Sequence, residues 1–377
     1  MPIPYFSSGP CRKYHTFDST SYPNALLHRS RQANDCKEVL IRTIQLTKEA
    51  LNLPDGYEIM ITQGSDTGAI ETAFWNLLTQ NGTTVLSWSN FGKKWKNDLS
   101  QQLKLENLES HQLDYQNMTY QDLVDLGKEI PSQNDLVFVW NATTVGVCVP
   151  DLEWLPRSHQ GLVIVDGTSI VFAKDLPWER LDTVSFSWQK VLGGEAGIGM
   201  LVLSPKALQR LETYTPQWPV PNLLNLKDSR GRFNQSLITN NTTNTISFLL
   251  IDDYLQALEW WNNAYGTSQN AYNYLQEKLN WIDNWLTTIK DPKKLEYLIK
   301  DPKLRSPTGV TFLTDLTEDQ LEQMHHYFET QMIALDIKSH PSTGKGVRIW
   351  VGPTVSFDDL KILFKNLSNY LFPPKKN

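Results

Sequence analysis

Three cysteines in 377 residues, Cys11, Cys36 and Cys148, are odd in number and widely spaced, so neither a disulfide framework nor a zinc site is suggested. They read as reduced thiols. Basic residues form no long run and the net charge is −6, so a nucleic-acid polyanion is excluded as the main partner, although a local basic pocket is not. No uninterrupted apolar segment reaches membrane-spanning length. The start of the chain, Met1-Pro-Ile-Pro-Tyr-Phe-Ser-Ser-Gly-Pro10, lacks the basic and then apolar order of a secretion signal, so a cytoplasmic protein is expected. Repeats and low-complexity tracts are absent. So are the G-x-G-x-x-G and Walker A patterns, which leaves a dinucleotide or a nucleoside triphosphate without specific support.

What is present is ordinary globular material, with 40% hydrophobic and 20% charged residues. The length exceeds what one core usually serves, and two domains are expected, over residues 1–260 and 261–377. Residues 2–24 read as an irregular arm, and helical spacing of Leu40, Ile44, Thr47 and Leu51 follows. Before that helix stand His28, Arg29 and Arg31, either beside an anion or as a solvated basic turn. Apolar strands are then expected at Glu58–Thr62, Thr83–Ser87, Asp135–Trp140, Gly161–Val165 and Thr183–Ser187, separated by helices and turns. That order predicts an α/β fold with a mostly parallel sheet flanked by helices. The stretch from Tyr214 to Asn244 has no periodicity and suggests an interface. From Ile246 to Ile289 one long, aromatic-rich helix is expected to bridge to a small C-terminal α+β domain. There Val347-Arg-Ile-Trp-Val351 alternates, and Arg348 requires an anionic partner if its face is covered.

Four features carry chemistry. Gln63-Gly-Ser-Asp-Thr-Gly68 is a glycine-rich turn between strand and helix, suited either to a phosphate or simply to a tight turn. Trp95, in the loop after the second strand, either stacks on a flat ring or packs in the core. Asp166 ends an apolar strand, at the edge where ligands gather in open α/β sheets, or it caps a turn. Lys190 lies in Ser185-Phe-Ser-Trp-Gln-Lys190-Val-Leu-Gly-Gly194, between Trp188-Gln189 and Val191-Leu192. Apolar neighbours of that kind lower a lysine's pKa and make its amine nucleophilic, the alternative being a lysine in an ordinary turn. One cofactor, pyridoxal phosphate, uses a lysine, a carboxylate and phosphate donors together.

The ordered set Phe6-Ser-Ser-Gly-Pro10, His28-Arg29, Gly64-Ser-Asp-Thr-Gly68, Val165-Asp-Gly-Thr168, Ser187-Trp-Gln-Lys190, Thr243-Asn-Thr245 and Gly346-Val-Arg-Ile-Trp350 resembles the phosphoserine aminotransferases, nearly end to end. These belong to the class V group of fold-type I pyridoxal-phosphate enzymes. The resemblance implies that Lys190 bonds the cofactor and shuttles a proton, and that Asp166 pairs with its ring nitrogen. It implies that Trp95 stacks on the ring, Thr143 bonds the phenolic oxygen, and Asp66, Thr67 and Gln189 take the phosphate. An extra residue between Gly92 and Trp95 sets this chain apart from some family members. Asn244 and Thr245 would reach the neighbouring subunit's phosphate site, making the enzyme a homodimer with shared active sites. Arg348 would clamp the substrate α-carboxylate, and His28 and Arg29 the substrate phosphate. The glycines after Lys190 would leave room for the cofactor.

The implied reaction exchanges L-phosphoserine and 2-oxoglutarate with 3-phosphohydroxypyruvate and L-glutamate, serving serine synthesis; a phosphorylated threonine analogue on the vitamin B6 route is a side substrate by analogy. One position departs. Where family members often carry an arginine seven residues before Arg348, this chain has Pro341, with His340 beside it and Lys345 nearby. Either one of these substitutes or the preferred amino donor has changed. Two other readings stay open: a class V enzyme of the alanine–glyoxylate type, and a non-catalytic dimeric scaffold, against which the retained Lys190 and Asp166 argue.

Overall fold

The computed structural model describes residues 6, 12–14, 16–18, 22, 25–27, 29–289 and 295–372. After helix α1 (Asn34–Ala50) the chain enters β1 (Glu58–Gln63), helix α2 (Ser65–Leu77) and β2 (Thr83–Ser87). Helix α3 (Asn90–Asn97), edge strand β3 (Leu108–Gln112), helix α4 (Tyr120–Glu129) and β4 (Asp135–Val139) follow. A short hairpin, β5 (Asn141–Ala142) and β6 (Val147–Cys148), precedes β7 (Val163–Asp166), β8 (Thr183–Ser187) and β9 (Ile198–Leu203). Seven of these strands form one sheet in the order β1-β9-β8-β7-β4-β2-β3. Only β9 runs against its neighbours.

The burial pattern explains the sequence pattern. Every residue of β2, β4, β7, β8 and β9 is buried, as expected of strands covered on both faces, whereas edge strand β3 is largely exposed. Because β1 runs parallel to β8, the carboxyl ends of β1, β2, β4, β7 and β8 share one edge. The Gly64 turn, the start of α3, Asp166 and Lys190 therefore meet there. Helix α2 packs on β9 and β8 at close range. A Cβ on Gly199 would lie 2.3 Å from the Ser65 carbonyl, so the helix start can settle on the sheet only over a glycine.

Helix α5 (Pro205–Thr213) begins as the sequence suggests, with Ser204 capping and proline in the first turn. The 214–244 stretch is pinned to α2: Asn76 Nδ2 donates to Leu224 O at 2.7 Å and Trp218 Nε1 to Trp75 O at 2.9 Å. The single helix expected over Ile246–Ile289 is two helices, α6 (Phe248–Ala264) and α7 (Ser268–Thr287). Gly266, at φ +68°, ends the first with its N–H and that of Tyr265 on Trp261 O, and Thr267 caps the second through Asn270 N. Beyond them, β10 (Glu296–Tyr297), β11 (Gly309–Leu313) and β12 (Gly346–Trp350) form an antiparallel sheet. Helices α8 (Glu318–Thr330) and α9 (Phe357–Leu371) accompany it. Phe364 of α9 meets Trp281 and Trp285 of α7 and Phe312 of β11 edge-on, which ties the sheet to α7. Among the described residues no helix is long and apolar enough to cross a membrane.

Candidate active site

Asp166 ends β7 with its side chain 3% exposed in register opposite Ser185 of β8. Two donors hold it: Thr168 N at 3.1 Å on Oδ1 and the Trp95 indole N–H at 3.2 Å on Oδ2. Burial raises its pKa, and four influences oppose that: the Thr168 N–H, a hydrogen bond with Asp66, the Trp95 N–H, and the charge of Lys190. Asp66, in the first turn of α2, is buried within hydrogen-bond reach of Asp166 and beside Ser185, whose hydroxyl has no hydrogen-bond partner among the described residues. Burial drives its carboxyl well above the ordinary range, the Asp166 charge drives it further, and Lys190 pulls it back. Lys190, half-buried, thus shares one electrostatic cluster with two carboxyl groups.

The turn before α2 takes two left-handed residues, Gly64 at φ +83° and Ser65 at φ +59°, whose N–H groups both bond Gly197 O. No side chain caps the helix, so the N–H groups of its first turn, from Asp66 and Thr67, are offered to an anion. Gln189 Nε2 donates to Ser65 Oγ at 2.5 Å, while its buried Oε1 has no partner. Lys94 Nζ reaches Thr67 Oγ1 at 3.3 Å and lies 4.9 Å from the Trp95 ring centre. Thr143 is buried in the β5–β6 turn, just beyond the strand that pairs with β7.

The loop that carries Lys190 is fixed from behind. Trp188 stacks on Tyr254 of α6 at 4.3 Å, and Tyr254 Oη is 2.7 Å from Thr47 Oγ1 of α1. Two of the following glycines have protein backbone close by. Gly193, at φ +69°, has Arg12 O 2.6 Å from where its Cβ would be, and Gly199 faces Ser65, so these two positions have no room for a larger side chain beside that backbone.

A pyridine ring nitrogen, an aldehyde and a phosphate would here meet a buried carboxylate, a lysine amine and an open helix start; the donor set fits pyridoxal phosphate. The family described as aminotransferase class V matches residues 12–334. The chain belongs to the class V aminotransferases. It is 39% identical over 369 residues to the phosphoserine aminotransferase of Methanosarcina barkeri, covering 96% of this chain and 94% of that protein. The phosphoserine aminotransferase of Methanosarcina mazei is 38% identical over the same shares. The crystal structure of a phosphoserine aminotransferase from Cytophaga hutchinsonii superposes with a TM-score of 0.79 at 20% identity, covering 98% of this chain and 99% of that one. That likeness carries the fold, a large mostly parallel sheet with flanking helices.

The remaining expected site residues of this class V aminotransferase have the following surroundings. His28 lies outside the described residues. Arg29 is exposed and grips Asp35 through Nε at 2.9 Å and Nη2 at 3.0 Å. Asn244 and Thr245 are exposed too, with Thr245 O accepting from Gln63 Nε2 at 2.9 Å. Arg31 bonds Asn241 Oδ1 at 2.6 Å and also Thr242 O, so the 241–245 segment links the basic segment to the phosphate-type turn. Arg348 is half-buried on β12 opposite Thr311. Pro341 opens a 3-10 turn over Pro341–Thr343 capped by His340, and Asn90 Nδ2, at the start of α3, lies 3.0 Å from His340 Nδ1. Lys345 is exposed beside Glu296 and Asp315, on another rim of the small sheet.

Sequence reasoning missed three contributors: the side chain of Asp66, Lys94, and the indole N–H of Trp95 as a donor to Asp166. A π-helical turn over Asp98–Gln102, closed by Leu103 N on Asp98 O at 3.0 Å, follows α3. Such a turn absorbs one residue within a helix and often marks a functional site.

Proposed function

We propose that this class V aminotransferase is a cytoplasmic homodimer that transfers the amino group of L-phosphoserine to 2-oxoglutarate, in two half-reactions, using pyridoxal phosphate. The observation that carries the reading is the buried Asp166 carboxylate in one cluster with Lys190, beside the open start of α2. When bound, pyridoxal phosphate supplies a carbonyl for amine exchange and a protonated ring that accepts the electrons left on the substrate α-carbon. Asp166 would keep the ring nitrogen protonated, because an anion in a dry pocket holds a proton on its partner. Trp95 and Thr168 keep that carboxylate in place through the hydrogen bonds already described. Lys190 Nζ would take the α-proton from one carbon and deliver it to the next, acting as general base and then general acid.

Asp66 and Thr67 N–H groups, Gln189 and Lys94 would hold the cofactor phosphate, Thr143 its phenolic oxygen, and Trp95 would cover its ring. Asn244 and Thr245 would complete the neighbouring subunit's phosphate site. Arg348 would fix the substrate α-carboxylate with a bidentate pair, while His28 and Arg29 meet its phosphate. Of the two replacements for the arginine absent at Pro341, His340 is favoured, since it borders α3 whereas Lys345 lies among acidic side chains. The turn at Pro341 also supports a second reading, the same transamination with a non-phosphorylated amino donor.

The test is spectroscopic. Lys190→Ala is expected to lose both the visible band of the bound cofactor and all turnover, and full activity in that variant would sink the assignment. Half-reaction spectra with phosphoserine against alanine separate the two donors: a faster response to alanine would select the second reading.

A further inference from the structure

The carboxyl of Asp66 has no place in the reaction as derived so far, where only its backbone N–H serves. Its position is nevertheless strongly built. Gly199 lets the first turn of α2 settle onto β9, and this lowers Asp66 onto the face of β7 and β8 where Asp166 and Ser185 stand in register. Two carboxyl groups, 8% and 3% exposed, are thereby brought into hydrogen-bond reach of each other. Two carboxylates at that range in a dry site repel, and one of them keeps a proton. The surroundings decide which. Asp166 receives the Thr168 and Trp95 N–H groups, while one oxygen of Asp66, Oδ1, is buried and meets no donor. Those donors favour the charge on Asp166 and the proton on Asp66.

We infer that Asp66 is a positioning residue whose neutral carboxyl donates a hydrogen bond to the Asp166 carboxylate, leaving a single negative charge oriented for the cofactor's ring nitrogen. This rests on the cofactor reading above. A second consequence concerns the phosphate. A charged Asp66 at the start of α2 would repel an anion bound there, whereas a neutral one leaves the helix N-terminus attractive. The ionisable groups facing Asp66 are Asp166 from β7 and Lys190 from the loop after β8, with the Ser185 hydroxyl on β8.

Two variants and two readouts test this. Asp66→Ala removes the donor and is expected to weaken pyridoxal-phosphate binding about tenfold, the worth of a charge-assisted hydrogen bond, with a lowered pH limit for the absorbance change of the bound cofactor. Asp66→Asn keeps a donor at the same place and is expected to restore most of that affinity. Unchanged affinity in the alanine variant, or equal loss in both, overturns the inference.

The cofactor-free protein gives the independent readout. A carboxyl whose pKa is raised on folding stabilises the fold fully below its ordinary value of 3.8, and that contribution is lost as pH rises towards the raised value. Over the pH range that runs upward from that ordinary value, wild-type protein should lose melting temperature relative to Asp66→Asn, which has no such proton to hold. Parallel melting curves across that window overturn the proton assignment. Should Asp66→Ala fail to fold, this series decides alone. Wild-type protein that binds no pyridoxal phosphate would defeat the functional reading, while the melting series would still test the carboxyl pair.

Discussion

The cofactor half and the substrate half of the site are built differently. Around Asp166 the side chains are buried or half-buried and each is held by at least one element other than its own: Asp166 by α3, Gln189 by the Ser65 turn, Trp188 by α6. Around the expected substrate groups, Arg29 is exposed and tied to Asp35 six residues away, and His340 touches the large sheet's side through Asn90. A rigid sheet edge fixes the chemistry, and exposed segments fix the choice of donor. Reaction type should therefore be hard to change by single substitutions outside the cluster, and donor preference easy.

The strongest way to break that contrast lies in the cluster. Asp166→Asn removes the negative charge with little change of shape, and turnover is expected to fall by about 10²–10³-fold, as on loss of a preorganised electrostatic group. The half-reaction rate with phosphoserine measures it. Gly199→Val tests whether the cluster depends on the seat of α2. The new side chain would meet Ser65 O at 2.3 Å, so α2 must lift. A loss of about 1–3 kcal/mol of stability is expected, together with weaker cofactor binding, by thermal melting and absorbance titration. Normal cofactor affinity in that variant would mean that the helix start does not contribute.

Legibility followed the same divide. Asp166, Lys190 and the Gly64 turn were visible because each is a local pattern at a strand end, and strand order brings strand ends together. The buried carboxyl of Asp66 was not visible, since residues 66, 166 and 185 are distant in sequence and meet only through the register of β7 with β8 and the seat at Gly199. The break between α6 and α7 was written in Tyr265-Gly266-Thr267, a left-handed stop followed by a cap, and continuous aromatic periodicity on both sides concealed it. Arg29 looked like a phosphate ligand by type and position, but its nearest anion is Asp35 in the first turn of α1. Domain limits at 260 and 261 remain a proposal; the change of helix falls at 264–268.

Smaller effects are expected on the substrate side. Arg348→Lys should raise the KM for the amino donor by about tenfold, the worth of one charged hydrogen bond of a bidentate pair, and leave cofactor affinity unchanged. Lys278→Met tests the support of that strand from behind. Lys278 of α7 is fully buried and donates to Val351 O, Gly352 O and Val355 O at 3.3, 3.0 and 2.5 Å, in the turn that follows β12. Removing it takes the lysine donor from the Val351 and Val355 carbonyls, while Gly352 O keeps the Val355 N–H, at a cost of about 1–3 kcal/mol in thermal stability. If cofactor affinity falls as well, the two halves are not separable.

The smallest structural effect, and the sharpest test of donor choice, belongs to Arg29→Ala. Its partner is an exposed carboxylate, and exposed pairs add little to stability, so the melting temperature should not move measurably. Were Arg29 merely the partner of Asp35, nothing else would change. If it meets the substrate phosphate, the KM for phosphoserine should rise about tenfold while the KM for alanine stays constant, because only the phosphorylated donor loses a charged contact. Asp35→Asn sharpens the reading. It frees the guanidinium without removing it, so phosphoserine should bind as well as before or better. A parallel rise for both amino donors in the Arg29 variant would remove Arg29 from the substrate site and leave donor choice to Arg348 and the Pro341 turn.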